Sequence, residues 1–172
     1  MKRLRGLLLA GLAFTVAAPA LAADSLDLAK IAGVYKRGFQ NADVSGRQYR
    51  SEDVVEIVPL DRTSAYVRVR LNFFNGHLCA IYGVAHPEAG ALVYRPPPEP
   101  GRAGRCALGI RVDRRQLSFD DPDGACRESW CGVRGGFAHA TLPAASRRPI
   151  RYMARLRASR EFRHAIAEAA QP

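Results

Sequence analysis

Four cysteines carry the most readily assigned chemistry of this 172-residue sequence. An even number of cysteines in an exported chain, which the N-terminus described below predicts, indicates two disulfides. Three pairings are possible, and we favour Cys126 with Cys131 because this pair closes a short surface loop. The second pair, Cys79 with Cys106, then joins two neighbouring strands. Four residues separate Cys126 from Cys131, not the two of a redox or zinc motif, so we expect structural disulfides.

Aromatic and guanidinium side chains surround the expected Cys126–Cys131 loop. Trp130 is the only tryptophan of the chain, and Arg127 and Arg134 flank it in sequence. A rigid loop that presents Trp and Arg has the composition of a recognition hot spot. The alternative is structural: Trp130 plugs one end of a barrel, and Arg134 pairs with an internal carboxylate such as Asp120.

Residues for catalysis or metal binding do not converge in the sequence. His77 and His86 lie on one predicted strand and about 30 Å apart, so they cannot share a metal. The acidic run at 120–123 contains Pro122 and fits a turn better than a calcium loop, which needs a bidentate glutamate at its twelfth position. We find no G-x-S-x-G or H-E-x-x-H motif and no phosphate-binding glycine loop. We therefore predict a protein that is not an enzyme and that holds no metal or cofactor.

Positive charge is concentrated near the C-terminus. The chain has 26 Lys and Arg against 16 Asp and Glu, a formal net charge of +10, and the net charge falls to +7 without the three cations of residues 1–22. Guanidinium groups suit bidentate contact with carboxylate and phosphate. We take Arg151 and Arg155 as candidate partner-binding residues, together with Arg127, Trp130 and Arg134. The arginines that follow Pro143 are Arg147, Arg148, Arg151, Arg155, Arg157, Arg160 and Arg163.

A basic segment of this kind predicts binding to an acidic envelope component or to an acidic periplasmic protein. The alternative is a helical segment that covers one sheet face and turns its arginines to water. Nucleic acid is not expected as a partner, because the chain is exported and lacks aromatic residues interleaved with its cations. The sequence does not specify the oligomeric state.

Residues 1–22 have the pattern of a cleavable secretory signal peptide. A cationic start precedes an apolar stretch that ends in Ala20-Leu21-Ala22, and we expect cleavage before Ala23. A retained membrane anchor is the alternative, but the stretch is shorter than the ~20 residues that span a bilayer. No other long apolar run follows, so we expect no membrane span after processing.

Alternation of apolar and polar residues predicts a mainly β fold. The strictest run, 65–74, ends in Asn75-Gly76, the strongest short hairpin signal, and a two-residue turn there would place Leu71 opposite Ala80. Short strands at near-regular spacing predict a small antiparallel β-barrel or sandwich over residues 23–143, followed by a basic helical tail over 144–172. The other expected strands begin near Gly33 and cover 54–58, 78–84, 92–94, 106–112, 117–119 and the glycine-rich 132–137. The hairpin register puts four residues of the 78–84 strand on the core face: Leu78, Ala80, Tyr82 and Val84.

The tail has one apolar stripe at helical spacing. Tyr152, Leu156, Phe162 and Ile166 fall within about one third of a helical wheel. Ser159 has the residue type of a helix N-cap, so the pattern fits one helix or two short ones.

Three sequence patterns resemble those of a group of small exported proteins of Gram-negative bacteria. They are FFNGHLC at 73–79, LSFD at 117–120 and C-x4-C-G-V-R-G at 126–135. The group is largely uncharacterised, and some of its members look like lysozyme-inhibitor-type β-domains. The resemblance implies a periplasmic location and, as an alternative function, inhibition of an envelope hydrolase such as lysozyme. The opening Gly33-Val34-Tyr35 is also similar to the start of a lipocalin-type barrel, which implies a meander.

Overall fold

The computed structural model describes residues 26–97 and 106–171, so the expected signal peptide and part of the proline-rich loop lie outside the described residues. Eight strands form one antiparallel sheet in which each strand pairs with the next along the chain. The strands are β1 (Gly33–Ala42), β2 (Gln48–Pro59), β3 (Ala65–Asn72), β4 (Leu78–Glu88), β5 (Ala91–Tyr94), β6 (Leu108–Val112), β7 (Gln116–Asp120) and β8 (Thr141–Pro143). The helices are α1 (Leu28–Ile31), α2 (Ala125–Trp130), α3 (Met153–Arg157) and α4 (Arg160–Ala169).

The sheet curls into a nearly closed barrel. The first strand meets the segment just after β8, where the backbone groups of Val34 and Arg148 exchange two hydrogen bonds of 2.9 Å. The Lys36 amide also donates to Ser146 Oγ at 3.1 Å. This confirms the predicted antiparallel meander, as a barrel and not as a sandwich. No helix among the described residues is long and apolar enough to cross a membrane.

The barrel interior is filled by inward-facing side chains. Alternate residues along each strand point inward, so the two-residue period seen in the sequence fills one core. The short helix α1 packs Leu28 and Ile31 against the core, where Tyr35 Oη donates to the Ile31 carbonyl at 2.8 Å. Gly83 lies under the ring of Tyr94, because a Cβ there would stand 2.0 Å from that ring.

The β3–β4 hairpin differs by one residue from the predicted register. Its Asn-Gly pair does adopt the left-handed conformation of a tight turn. However, the Phe73 amide donates to the His77 carbonyl at 2.8 Å, so β3 accommodates one extra residue before the turn, as in a β-bulge. Leu71 therefore pairs with Cys79 and not with Ala80. The β4 positions on the inward face are Cys79, Ile81, Gly83 and Ala85, and the prediction of Leu78, Ala80, Tyr82 and Val84 is wrong.

The prediction of a glycine-rich strand at 132–137 is wrong. This segment makes tight turns, and the Gly135 amide donates to the Gly132 carbonyl at 2.7 Å. Both glycines are packed so closely that a Cβ on either would stand 2.7 Å from a neighbouring side-chain atom. The last strand, β8, lies further along the chain at Thr141–Pro143.

The tail folds as two short helices that pack on the outside of the barrel. Ser159 caps α4, because its Oγ accepts from the Phe162 amide at 3.2 Å. Leu156 and Phe162 pack against the outer face of β2 and β3, where the ring centroids of Tyr66 and Phe162 lie 4.6 Å apart. The predicted apolar stripe is thus the face by which the tail covers the sheet.

Replacing Tyr66 with phenylalanine is expected to raise the free energy of unfolding by about 1 kcal/mol, because its hydroxyl is buried without a hydrogen-bond partner among the described residues. Burial also raises the pKa of this phenol. The matched control is Tyr35→Phe, which removes a buried hydroxyl that does donate and should lower stability by about 1 kcal/mol. Urea unfolding followed by Trp130 fluorescence measures both. Equal losses in the two variants would contradict the assignment.

Candidate partner-binding surfaces

The two disulfides join Cys79 to Cys131 and Cys106 to Cys126, so the pairing favoured from the sequence is wrong. The reason is the helix α2, which the sequence analysis did not predict. A helical rise of 1.5 Å per residue separates Cys126 from Cys131 by about 7.5 Å, beyond the reach of a disulfide. Cys126 instead bonds to Cys106, which lies just before β6, and Cys131 bonds to Cys79, near the start of β4. Both disulfides therefore fasten the β7–β8 connection, residues 121–140, to the barrel; we call this connection the stapled loop.

Asp121 and Arg127 hold the stapled loop in shape. The carboxylate of Asp121 accepts from the amides of Cys126 and Arg127 at 3.1 and 3.0 Å, which caps the first turn of α2. The guanidinium of Arg127 donates to the carbonyls of Gly135 and Val133 at 2.9 and 3.1 Å. This candidate partner-binding residue is thus engaged by the backbone of its own loop. Across the described residues, no group of three potential ligands is placed to hold a metal ion.

Trp130 and Arg134 occupy different environments within the stapled loop. Trp130 is half-buried and packs against the barrel core. Arg134 is exposed, and its guanidinium lies 5.0 Å from the ring centroid of Phe74, in the β3–β4 turn. No ion pair of Arg134, with Asp120 or another carboxylate, occurs among the described residues. Both loop arginines are exposed, but Arg127 donates to backbone carbonyls of its own loop, whereas Arg134 makes no hydrogen bond or ion pair among the described residues.

The arginines of the tail remain exposed after the helices have packed. We call residues 144–171 with their seven arginines the arginine tail. Within the described part of the chain, none of these seven forms an ion pair. Two glutamates oppose them, and one of these, Glu168, contacts His164 at 3.1 Å. The tail therefore holds an excess of five positive charges, whereas the part from 23 to 143 holds two.

Glu56 fastens the arginine tail to the barrel. It is 1% exposed, and its carboxylate accepts from Arg68 at 2.5 and 2.9 Å and from Tyr152 Oη at 2.5 Å. Burial and the hydrogen bond to Glu56 raise the pKa of Tyr152 to about 12. The Arg155 guanidinium lies 5.2 Å from the ring centroid of Tyr152. The buried carboxylate thus positions one of the candidate arginines through a tyrosine.

Sequence reasoning did not identify Glu56 as a residue of the site. One available signal was its position within an otherwise apolar run, Val54-Val55-Glu56-Ile57-Val58. The register places it directly opposite Arg68 on β3. A charge that interrupts a buried strand and faces an opposite charge indicates an ion pair.

The structure does not bring the two sets of candidates together. Arg134 lies at the barrel end where β3 turns into β4, and Arg127 and Trp130 lie in the same loop. Arg151 and Arg155 lie on the outer wall, beside the contact between Tyr152 and β2. The chain therefore has two separate candidate surfaces, not one.

A groove of about 840 Å³ separates the end of α4 from β4 and β5. Hydrogen bonds from Ser64 and Thr63 lower the pKa of its Asp61 to about 2. His86 Nδ1 lies 3.0 Å from the Thr63 carbonyl. Arg95 forms an ion pair with Glu88 at the rim. These polar groups are engaged by neighbours and do not converge on one point.

Comparison with protein-family models, with curated proteins and with solved structures gives no match to this chain.

Proposed function

We propose that this protein is a non-enzymatic binding module of the periplasm, and that its arginine tail binds an acidic envelope component or an acidic partner protein. The observation that carries the proposal is the set of seven exposed arginines without an ion pair among the described residues, on a segment fastened to the barrel. The signal-peptide pattern of residues 1–22 and the two disulfides support the location, because disulfides persist in oxidising compartments.

Electrostatics favours an anionic ligand at the tail. Seven like charges on about 30 residues repel one another, and bound carboxylate or phosphate groups relieve that repulsion. Each arginine near an anionic lipid surface contributes about 1 kcal/mol, and the attraction is screened by salt. Because its helices are already docked on the barrel, the tail loses less conformational entropy when a ligand binds.

Replacing Arg151, Arg155, Arg157, Arg160 and Arg163 together with glutamine is expected to weaken binding to phosphatidylglycerol-containing vesicles by more than about tenfold. Binding of the unaltered protein should also fall steeply between low salt and about 0.5 M salt. Vesicle co-sedimentation measures both effects. A second arm replaces the vesicles with a polyglutamate peptide, which represents an acidic protein.

A matched control separates a local effect from the effect of net charge. Five exposed arginines of the barrel give the same change in charge when they are replaced with glutamine: Arg50, Arg62, Arg70, Arg114 and Arg115. This control should retain binding within about threefold of the unaltered protein, because most of the local field comes from the tail. Equal losses in the two variants, or binding that does not respond to salt, would overturn the proposal.

The alternative function is inhibition of an envelope hydrolase such as lysozyme, and one observation supports it. Two disulfides hold the stapled loop rigid at the barrel end, and a rigid loop loses little entropy on docking into a protein. Electrostatics argues against inhibition of a basic lysozyme. Two positively charged proteins repel each other, so they associate slowly, and their potentials do not match across an interface. Complete suppression of lysozyme turnover by a stoichiometric amount of the protein would favour this alternative.

A further inference from the structure

Three exposed apolar residues lie on loops that meet at the end of the barrel that carries the stapled loop. Four large apolar side chains among the described residues are exposed: Val44, Leu60, Phe74 and Val133. Three of them, Val44, Phe74 and Val133, come from three loops that are distant in sequence. The amide of Val44 donates to Asn75 Oδ1 at 3.3 Å, and Arg134 covers the Phe74 ring. The three loops therefore form one surface, which we call the three-loop patch: Val44, Phe74, Val133 and Arg134.

The three-loop patch is preorganised. The Cys79–Cys131 disulfide fastens the stapled loop to the base of the β3–β4 turn, where the Gly132 amide donates to the Leu78 carbonyl at 2.9 Å. The turn itself is tied to the β1–β2 hairpin, because the Gly76 amide donates to Tyr49 Oη at 3.0 Å. A surface held in this way loses little conformational entropy when a partner binds.

Arg134 gives the patch its charge preference. Arg47, in the same turn as Val44, forms an ion pair with Asp43 at 2.9 Å, whereas Arg134 has a ring beneath it and no ion pair among the described residues. An arginine stacked on an aromatic ring, with apolar side chains around it, has the composition of a binding hot spot. Three of the four exposed large apolar residues among the described residues lie on these adjoining loops, and such grouping marks an interaction site more than scattered single residues do.

We propose that the three-loop patch docks a partner protein that presents a carboxylate beside an apolar or aromatic side chain. The carboxylate pairs with Arg134, and the apolar side chain covers Phe74 and Val133. A second copy of this chain fits poorly, because a two-fold interface places the same patch on both sides, and the four residues of the patch include no carboxylate to pair with Arg134. This inference concerns residues that the arginine tail does not include, so it stands or falls independently of the proposed function.

A displayed library of random peptides tests the chemistry of the partner, whatever protein carries it. The protein, expressed from the full sequence with both disulfides intact, serves as bait at about 0.5 M salt, which screens the arginine tail. Peptides that also bind the Arg134→Gln, Phe74→Ser double variant are removed. We expect the remaining peptides to share an aspartate or glutamate next to an aromatic or aliphatic residue.

One enriched peptide is then synthesised, together with a version in which each acid is replaced by its amide. We expect Arg134→Gln, Phe74→Ser and the amide peptide each to weaken binding by about tenfold. Leu60→Ser, at the exposed apolar residue outside the patch, and Arg114→Gln, at an exposed arginine between β6 and β7, should leave affinity unchanged. Val133→Ser serves as the test variant if Phe74→Ser does not fold.

Five results overturn the inference. The first four are a library without enrichment, enriched peptides that lack an acid, equal binding to patch and control variants, and self-association that Arg134→Gln relieves. Binding of the patch to neutral phosphatidylcholine vesicles would assign it to a membrane and would overturn the inference as well.

Discussion

Replacing Glu56 with alanine is expected to lower the free energy of unfolding by about 3 kcal/mol and to loosen the arginine tail. Glu56 is buried, and removing it leaves the guanidinium of Arg68 and the hydroxyl of Tyr152 without their acceptor. Breaking a buried ion pair from one side costs about 3–5 kcal/mol, and we expect the lower end because Arg68 is 34% exposed. Urea unfolding gives the free energy.

Proteolysis measures separately how firmly the tail is attached to the barrel. Trypsin should cleave after Arg157 and Arg160 faster in Glu56→Ala than in the unaltered protein, because Tyr152 no longer ties the tail to β2. The matched control is Glu88→Ala, which breaks the exposed ion pair with Arg95 and should cost less than about 1 kcal/mol. If both variants lose the same stability, or if trypsin cleaves them alike, Glu56 does not fasten the tail.

Replacing Cys79 and Cys131 with alanine is expected to cost about 4 kcal/mol, and replacing Cys106 and Cys126 about 3 kcal/mol. The loops that these disulfides close span 52 and 20 residues, and the longer loop gains more freedom in the unfolded chain. Thermal and urea unfolding of the two double variants measure the difference.

The two disulfide variants should also differ at the three-loop patch. The first variant releases the loop that carries Arg134 from the base of the Phe74 turn, whereas the second leaves that connection intact. Binding of the enriched acidic peptide should therefore fall further in the first variant. A greater loss of stability or of peptide binding in the second would show that the Cys79–Cys131 bond is not the main constraint on the loop.

Much of the fold follows from local patterns. Strict alternation along β3 predicts a half-buried antiparallel strand, and such strands at regular spacing predict the barrel. The apolar stripe with Ser159 predicts the helices of the tail and the face that packs. These features depend on neighbouring residues, which a sequence shows directly.

The errors lie where distant parts of the chain decide the outcome. The predicted register of β4 is wrong by one residue because a bulge before the Asn-Gly turn depends on how the strands fit the barrel. The predicted disulfide pairing is wrong because α2 separates its two cysteines, and a helix of six residues capped by Asp121 leaves a weak pattern. The pairing of Glu56 with both Arg68 and Tyr152 requires the tail to fold back across the barrel.

The closure of the barrel at Arg148 sets the order in which the chain can fold. The strand β1 meets its second neighbour only after β8, in contacts that join residues at least 110 positions apart. A chain that is synthesised from its N-terminus therefore cannot complete the barrel until residue 148 has been added and is free to fold. Until then β1 keeps an unpaired edge, which is open to other chains. Because long-range pairing is slow, the edge of β1 stays open longer than the other strand edges and is the place where pairing with another chain most easily competes with folding.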